Sequence, residues 1–203
     1  MPQFNTADDN ILRFNPLELF KNWYEEAIVS EPEDPNAMSL ATVDEDGRPS
    51  VRIVLLKEFG EAGFIFYTHR PSRKGKALLA RPFAALCLHW KSLRRQIRLE
   101  GPVQEVPESM ADDYFATRPR LNQLGAWASR QSEILPSAGE FEQRLEEVTR
   151  KFEGQKVPRP PYWTGFSLMP DSIEFWQQQP NRWHQRVIFT KTKTGWDSTR
   201  LYP

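Results

Sequence analysis

Basic residues gather in a few short segments of this chain, and their spacing suits the binding of phosphate. Arg52-Ile-Val-Leu-Leu-Lys57 reads as an apolar, buried strand with a cation at each end. Side chains alternate along a strand, so residues five apart face opposite sides; Arg52 and Lys57 should then serve two anions, or two parts of one assembled site. The competing reading is a core strand whose cations snorkel at its rims. Ser72-Arg73-Lys74 opens a helix directly after a strand ending in Tyr67-Thr68. A helix N-terminus carries unpaired N–H groups and partial positive charge, so cations there are unfavourable unless an anion joins them. Tyr114 and Arg118 lie four apart with Arg120 close by. A helix continuing through Arg118 would set phenol and guanidinium on one face as a second phosphate clamp; ordinary cations at a helix C-terminus are the alternative.

Other polar groups are weaker signals taken singly. Gln96, in Arg94-Arg-Gln-Ile-Arg98, offers an amide that both donates and accepts, which suits the pyrimidine edge of a flavin. Gln131-Ser132 lies in a polar loop. Ile173-Glu-Phe-Trp176 precedes Asn181-Arg-Trp-His-Gln-Arg186, where Arg182, His184 and Arg186 alternate and would share one face of an extended chain. Such a face could orient an anionic aromatic ligand and stabilise negative charge developing on a flavin; a rim of charged strand residues is the plainer reading. His69, His89 and His184 are scattered without metal-ligand spacing. Cys87 sits in the run Phe83-Ala-Ala-Leu-Cys-Leu88 and reads as a small core residue rather than a catalytic thiol.

These residues need a scaffold, and its outline is legible. Asn15, Pro16 and Glu18 mark a helix start, and Leu17, Phe20, Trp23, Tyr24, Ala27 and Ile28 follow at helical spacing. Residues 1–35 therefore read as a helical N-terminal segment. Strands are expected over 38–43, 49–57, 63–68, 83–90 and 93–104, the first two joined by the turn Asp44-Glu-Asp-Gly47. Residues 107–155 read as a helical insertion: one helix over 108–117, an irregular stretch over 118–136, and a second helix over 137–152. Short strands over 164–168, 172–177, 186–192 and 196–201 complete a domain over 36–203. Strands with short turns, interrupted by peripheral helices, make a mostly β (α+β) protein built on a small antiparallel barrel of Greek-key type.

Lys+Arg and Asp+Glu are both 27 in the 203 residues, so no net charge draws the chain to nucleic acid or an anionic membrane, and any anion site must be local. No apolar run approaches the roughly 20 residues that span a bilayer. The N-terminus lacks a signal-peptide layout, and one cysteine forms no intrachain disulfide; a cytoplasmic setting is expected.

Taken together, Arg-Ile-Val-Leu-Leu-Lys, Phe-Tyr-Thr, Ser-Arg-Lys, Arg-Pro-Arg, Gly-Ala-Trp-Ala-Ser-Arg-Gln-Ser and Ile-Glu-Phe-Trp resemble, in order and spacing, the pyridoxine (pyridoxamine) 5′-phosphate oxidase family from about Asn36 to the C-terminal Arg200-Leu-Tyr-Pro203. The resemblance implies an FMN-binding split β-barrel working as a homodimer, with each flavin held between subunits. By motif, Arg52, Arg73, Lys74, Gln131 and Ser132 would hold the FMN phosphate, the last two from the partner subunit. The 52–57 backbone (Arg52, Ile53, Val54, Leu55, Leu56, Lys57), with Tyr67, Thr68, Gln96, Trp176 and Arg186, would complete the flavin site. Lys57, Tyr114 and Arg118 match the clamp for the substrate phosphate, while Arg182 and His184 match the residues over the pyridine ring, where the chemistry occurs. The implied reaction is hydride transfer from the substrate C4′ to flavin N5, giving the aldehyde from pyridoxine phosphate or a hydrolysable imine from pyridoxamine phosphate. Dioxygen then reoxidises the flavin and leaves as hydrogen peroxide, a reaction of vitamin B6 salvage.

Three departures fall in the second half. Asn122 stands where the family usually has a serine of the clamp, Arg182-Trp-His-Gln-Arg186 replaces Arg-Leu-His-Asp-Arg, and Gln177-Gln-Gln-Pro180 replaces a glycine-containing turn. Two other functions fit parts of the pattern: an FMN oxidase of secondary metabolism of the phenazine type, and a flavin-binding split barrel without turnover. Lys57, Tyr114 and Arg118 together speak against the first, since a substrate without phosphate needs no such clamp; Arg182 and His184 speak against the second.

Overall fold

A computed structural model describes residues 9–203; the first eight residues, which carry most of the stretch without a signal-peptide layout, lie outside the described part. The first long element is α1 (Pro16–Ser30), started by Asn15, whose Oδ1 accepts from Leu17 N at 2.8 Å. Leu19, Phe20, Trp23 and Ala27 recur at helical spacing and are fully buried. Each large side chain so buried contributes about 1.5–3 kcal/mol, so α1 is bound into the main core.

Ten strands form one curled sheet around that helix. They are β1 (Ala37–Val43), β2 (Pro49–Leu55), β3 (Glu58–Gly60), β4 (Gly63–His69), β5 (Phe83–Trp90), β6 (Arg95–Glu105), β7 (Trp163–Leu168), β8 (Ser172–Gln177), β9 (Gln185–Lys191) and β10 (Trp196–Leu201). The order is β10-β9-β8-β6-β5-β1-β2, with β7 also on β6, and β4 joining β7 to β3. The long β6 serves both parts: Arg95–Glu100 pairs with β8, and Val103–Glu105 with β7. It turns at Gly101, where a Cβ would lie 2.1 Å from the Met169 carbonyl. This is a split barrel, with Leu40, Leu86, Leu88, Ile97, Leu99, Phe175 and Phe189 facing inward onto α1.

The expected strand over 49–57 differs in two ways. It ends at Leu55, and it is not a buried strand: Val51 and Ile53 are 68% and 63% exposed. β2 is a sheet edge, and the face bearing Val51 and Ile53 points away from the core.

Four further helices attach to the barrel: α2 (Arg73–Ala80), α3 (Glu108–Thr117), α4 (Arg120–Ala128) and α5 (Ala138–Lys151). The stretch over 118–136, expected to be irregular, holds α4. Pro119 opens it, and Leu124 and Ala126 pack with Phe115, Phe152 and Trp163 in a second core. No helix among the described residues is long and apolar enough to cross a membrane.

Candidate active site

The site is built first by the start of α2. Ser72 Oγ accepts from Gly75 N at 3.2 Å and donates to His69 O at 2.7 Å. Gly75 is needed there, because a Cβ would come within 2.4 Å of the His69 and Arg70 carbonyls. The helix thus begins hard against β4, and Lys74 reaches back to Thr68 Oγ1 at 3.0 Å and Gln131 Oε1 at 2.8 Å. Gln131, expected from a partner subunit, sits on Lys74 and Thr68 of its own chain, because α4 carries the following loop back to α2. Ser132, next to it in left-handed backbone (φ 74°), is exposed and lines a smaller cavity of about 280 Å³ beside the main one.

Arg52 projects from β2 across β1, donating to Leu40 O at 3.0 Å, to Thr42 Oγ1 at 2.8 Å, and to Ser50 Oγ. Burial, and secondarily Arg73, lowers its pKa. Burial, with Arg52 next, brings Lys74 down to about 8. His69, in the same wall, is pushed to about 4 by burial and by Lys74 and Arg118, so it is neutral. Among the described residues none of Arg52, Lys57, Arg73, Lys74 and Arg118 forms an ion pair. Cations gathered in one wall without a carboxylate partner are the signature of an anion site.

A cavity of about 640 Å³ opens beside this cluster, within the range of small-molecule sites. Lys57, Lys74 and Arg118 line it together with Tyr67, Thr68, Tyr114, Asn122 and Gln131, and no carboxylate does. Ile53, Val54 and Leu55 form its β2 side; Leu56 is buried in the main core. Tyr67, Tyr114 and Trp163 make an aromatic wall, with Tyr67 parallel to Tyr114 at 4.2 Å and to Trp163 at 5.0 Å. Gly165, opposite Tyr67 on β7, leaves room for it: a Cβ would lie 2.7 Å from the phenol ring. Arg118 lies over Trp163 at 5.1 Å. Helix α3 stops at Thr117, so Arg118 is its C-cap rather than a continuation, yet Tyr114 and Arg118 still meet at the cavity.

Two buried atoms on this wall, the Tyr67 hydroxyl and Arg118 Nη1, have no hydrogen-bond partner among the described residues. Burial first, then Glu58, Tyr114 and Asp113, raises Tyr67 to about 12, so the phenol stays a donor. Buried donors without partners, beside unpaired cations, fit a ligand rich in acceptors, as a phosphorylated flavin or pyridine is.

The remaining expected residues lie elsewhere. Gln96, Trp176 and Arg186 stand in register across β6, β8 and β9, forming a row on the face opposite the core. None of the cavity's lining residues comes from β8 or β9. Arg182, His184 and Arg186 do not share an extended face: Pro180–Arg182 is a 3-10 turn, with Asn181 and Arg182 in left-handed backbone (φ 56° and 63°). His184 follows the turn, its Nδ1 accepting from Gln179 N at 3.2 Å and its ring 4.8 Å from Trp176. His184 and Arg182 therefore sit at the end of the row by a turn, not by strand alternation. Sequence reasoning missed His69, Trp163 and the carboxylate of Glu174. For Glu174 the signal was an acid between Ile173 and Phe175 in an apolar strand.

Comparison with known proteins agrees with this geometry. Residues 24–152 match the family described as pyridoxamine 5′-phosphate oxidase, and residues 163–203 match the pyridoxine 5′-phosphate oxidase C-terminal dimerisation region. Pyridoxine/pyridoxamine 5′-phosphate oxidases of Brucella canis and Brucella abortus are 52% identical over 201 residues, covering 98% of this chain and 99% of theirs. Among solved structures, PhzG from Burkholderia lata 383, in complex with tetrahydrophenazine-1-carboxylic acid, is 31% identical with a TM-score of 0.91 over 99% of this chain and 98% of that one. A pyridoxamine 5′-phosphate oxidase-related, FMN-binding protein from Nostoc punctiforme shares the fold at a TM-score of 0.74 and 17% identity, over 94% of this chain and 99% of that one. Matched in both its N-terminal and C-terminal parts, and at this identity over nearly its whole length, the chain belongs to the pyridoxamine 5′-phosphate oxidase family.

Proposed function

We propose that the chain is an FMN-dependent oxidase converting pyridoxine 5′-phosphate and pyridoxamine 5′-phosphate to pyridoxal 5′-phosphate, acting in the cytoplasm as a homodimer. The observation that carries this is one cavity lined by several phosphate-binding groups and no carboxylate, which we read as two sets. Lys74, Thr68 and Gln131, with Arg52 and Arg73 behind, form one set; Lys57, Tyr114, Arg118 and Asn122 form the other. A cofactor phosphate and a substrate phosphate explain both.

When bound, FMN supplies the two-electron acceptor that takes hydride from the substrate and passes electrons to dioxygen. The chain's residues supply position and charge. Tyr67 and Arg118 donate from a dry wall, and their burial strengthens each bond. Asn122 can donate where the family's serine would. Ser132 and the 52–57 backbone complete the cofactor side. Gln96, Trp176 and Arg186, with Arg182 and His184 at the end of their row, lie outside the cavity of their own chain, so a second copy would bring them to it. The exposed β2 face and the match to a dimerisation region over 163–203 support that arrangement.

The likeness to PhzG favours a second reading, oxidation of a phosphate-free tricyclic substrate. Lys57, Tyr114 and Arg118 in the cavity lining favour a phosphorylated substrate instead. Anaerobic mixing of the yellow protein with pyridoxine phosphate decides it: bleaching of the flavin absorbance is expected. No bleaching with either vitamin B6 phosphate would overturn the substrate, and failure to take up FMN would overturn the cofactor as well.

A further inference from the structure

Behind the row of Gln96, Trp176 and Arg186 lies the carboxylate of Glu174, to which the proposed function gives no role. Glu174 sits on β8 two residues before Trp176, so both side chains leave the same face of the sheet. It is only 6% exposed, and both its oxygens are engaged: Oε2 by Arg98 Nη1 at 3.1 Å, and Oε1 by Arg186 Nε at 2.7 Å. Arg98 also pairs with Glu100 at 2.5 Å, which anchors it in turn. A second acceptor meets Arg186 from the other side, the Tyr202 carbonyl at 3.1 Å from Nη1.

A buried carboxylate is costly unless paired, and a pair with good geometry fixes orientation more than it adds stability. The guanidinium is planar, so two contacts on different nitrogens determine its plane and leave its Nη2 edge in one direction. Among the described residues Nη2 has no hydrogen-bond partner. We propose that Glu174 is a positioning residue for the flavin site: held by Arg98, it grips the Nε edge of Arg186 and, with the Tyr202 carbonyl, presents the Nη2 edge for binding. This rests on the reading of Arg186 as a flavin contact. Glu174 also offsets the charge of Arg186, so the field reaching the flavin depends on it. The bond to Glu174 raises the pKa of Arg186, outweighing the burial that opposes its charge.

The test is a double-mutant cycle on FMN binding to apoprotein, read by flavin fluorescence quenching and checked for folding by circular dichroism. Glu174→Gln should weaken FMN about tenfold, the loss of about 1.4 kcal/mol of orientation and charge. In an Arg186→Lys background, where the grip on Nε no longer exists, the same change should cost less than twofold. In the wild-type background Glu174→Gln should also shift the potential of the bound flavin upward, as an unneutralised cation favours the reduced form. Equal losses in both backgrounds, or unchanged affinity and potential, would overturn the assignment and leave Glu174 a fold residue. If Glu174→Gln does not fold, Glu174→Asp keeps the charge, withdraws it by one methylene, and is read in the same cycle. Wild-type protein that does not bind FMN would overturn the cofactor reading and this inference with it; wild-type binding with no coupling would overturn this inference alone.

Discussion

Replacing Lys74 by methionine removes one cation from the cavity wall proposed to hold the cofactor phosphate, while keeping most of its aliphatic stem. Lys74 is held by Thr68 and Gln131 and lies close to Arg52. A hydrogen bond to a charged partner contributes about 1.5–3 kcal/mol, so FMN should bind about 10- to 150-fold more weakly to the variant. Riboflavin, which has no phosphate, should lose less than threefold. The pH dependence is a sharper test. Lys74 has its pKa lowered from 10.5 to about 8, and the FMN phosphate is fully ionised well above its own second pKa of about 6. FMN affinity should therefore hold steady between pH 7 and 8, then fall by up to tenfold per unit above 8. The stability of the apoprotein should move the other way. Between 8 and 10.5 the unfolded chain keeps the Lys74 proton and the native chain has released it, so stability rises with pH across that window. Fluorescence titration of apoprotein with FMN and riboflavin, at pH 7 and 9.5, measures all of this except stability, which urea unfolding gives. An FMN affinity as flat with pH in the wild type as in Lys74→Met would refute the placement of Lys74 at the phosphate. So would an equal loss for riboflavin.

Arg118→Gln should raise KM for pyridoxine phosphate at least thirtyfold, about 2 kcal/mol for a charge-assisted contact, while FMN affinity stays within threefold; steady-state kinetics with flavin titration checks this. Gly165→Ala forces a Cβ to 2.7 Å from the Tyr67 ring and Val106, and should cost about 1–3 kcal/mol in urea unfolding. Its displacement of Tyr67 should also weaken FMN binding. Trp23→Ala empties the centre of the α1 contact and should destabilise by about 3–5 kcal/mol without changing the spectrum of bound flavin. Ile53→Asp, on the exposed face of β2, should shift the protein from dimer to monomer in sedimentation velocity while leaving its far-ultraviolet circular dichroism unchanged.

Strand alternation and capping made most of the fold legible. Asn15, Pro16 and Ser72 mark helix starts where the structure has them, and Gly47 (φ 82°) closes the expected turn between β1 and β2. Helix α4 escaped because Arg-Pro-Arg reads as a break, although proline suits a helix start, and because Gly125, Ala126 and Ala128 give a faint apolar stripe. The exposed face of β2 escaped because valine and isoleucine look alike whether they meet a core or another surface. Arg182 and His184 were visible as residue types, but their placement depends on two left-handed residues, of which only Asn181 is a recognised signal. The cavity itself was not legible. Lys57, Lys74, Tyr114 and Arg118 are distributed over about 60 residues, and only the pairing of β4 with β7 brings their walls together.

That pairing has a further consequence. Tyr67 meets Gly165 across about a hundred residues of chain, and closing such a loop costs about 4 kcal/mol in chain entropy. The cost depends only weakly on length, with a doubling adding about 0.6 kcal/mol. Helices α3, α4 and α5 all lie inside this loop, with Tyr114 on α3, Asn122 on α4 and Arg118 between them. Lengthening, shortening or redrawing the helical segment therefore barely taxes the closure of the barrel. On the function proposed above, substrate recognition would be placed where evolution can revise it cheaply, while the strands proposed to hold the cofactor stay under the constraint of register.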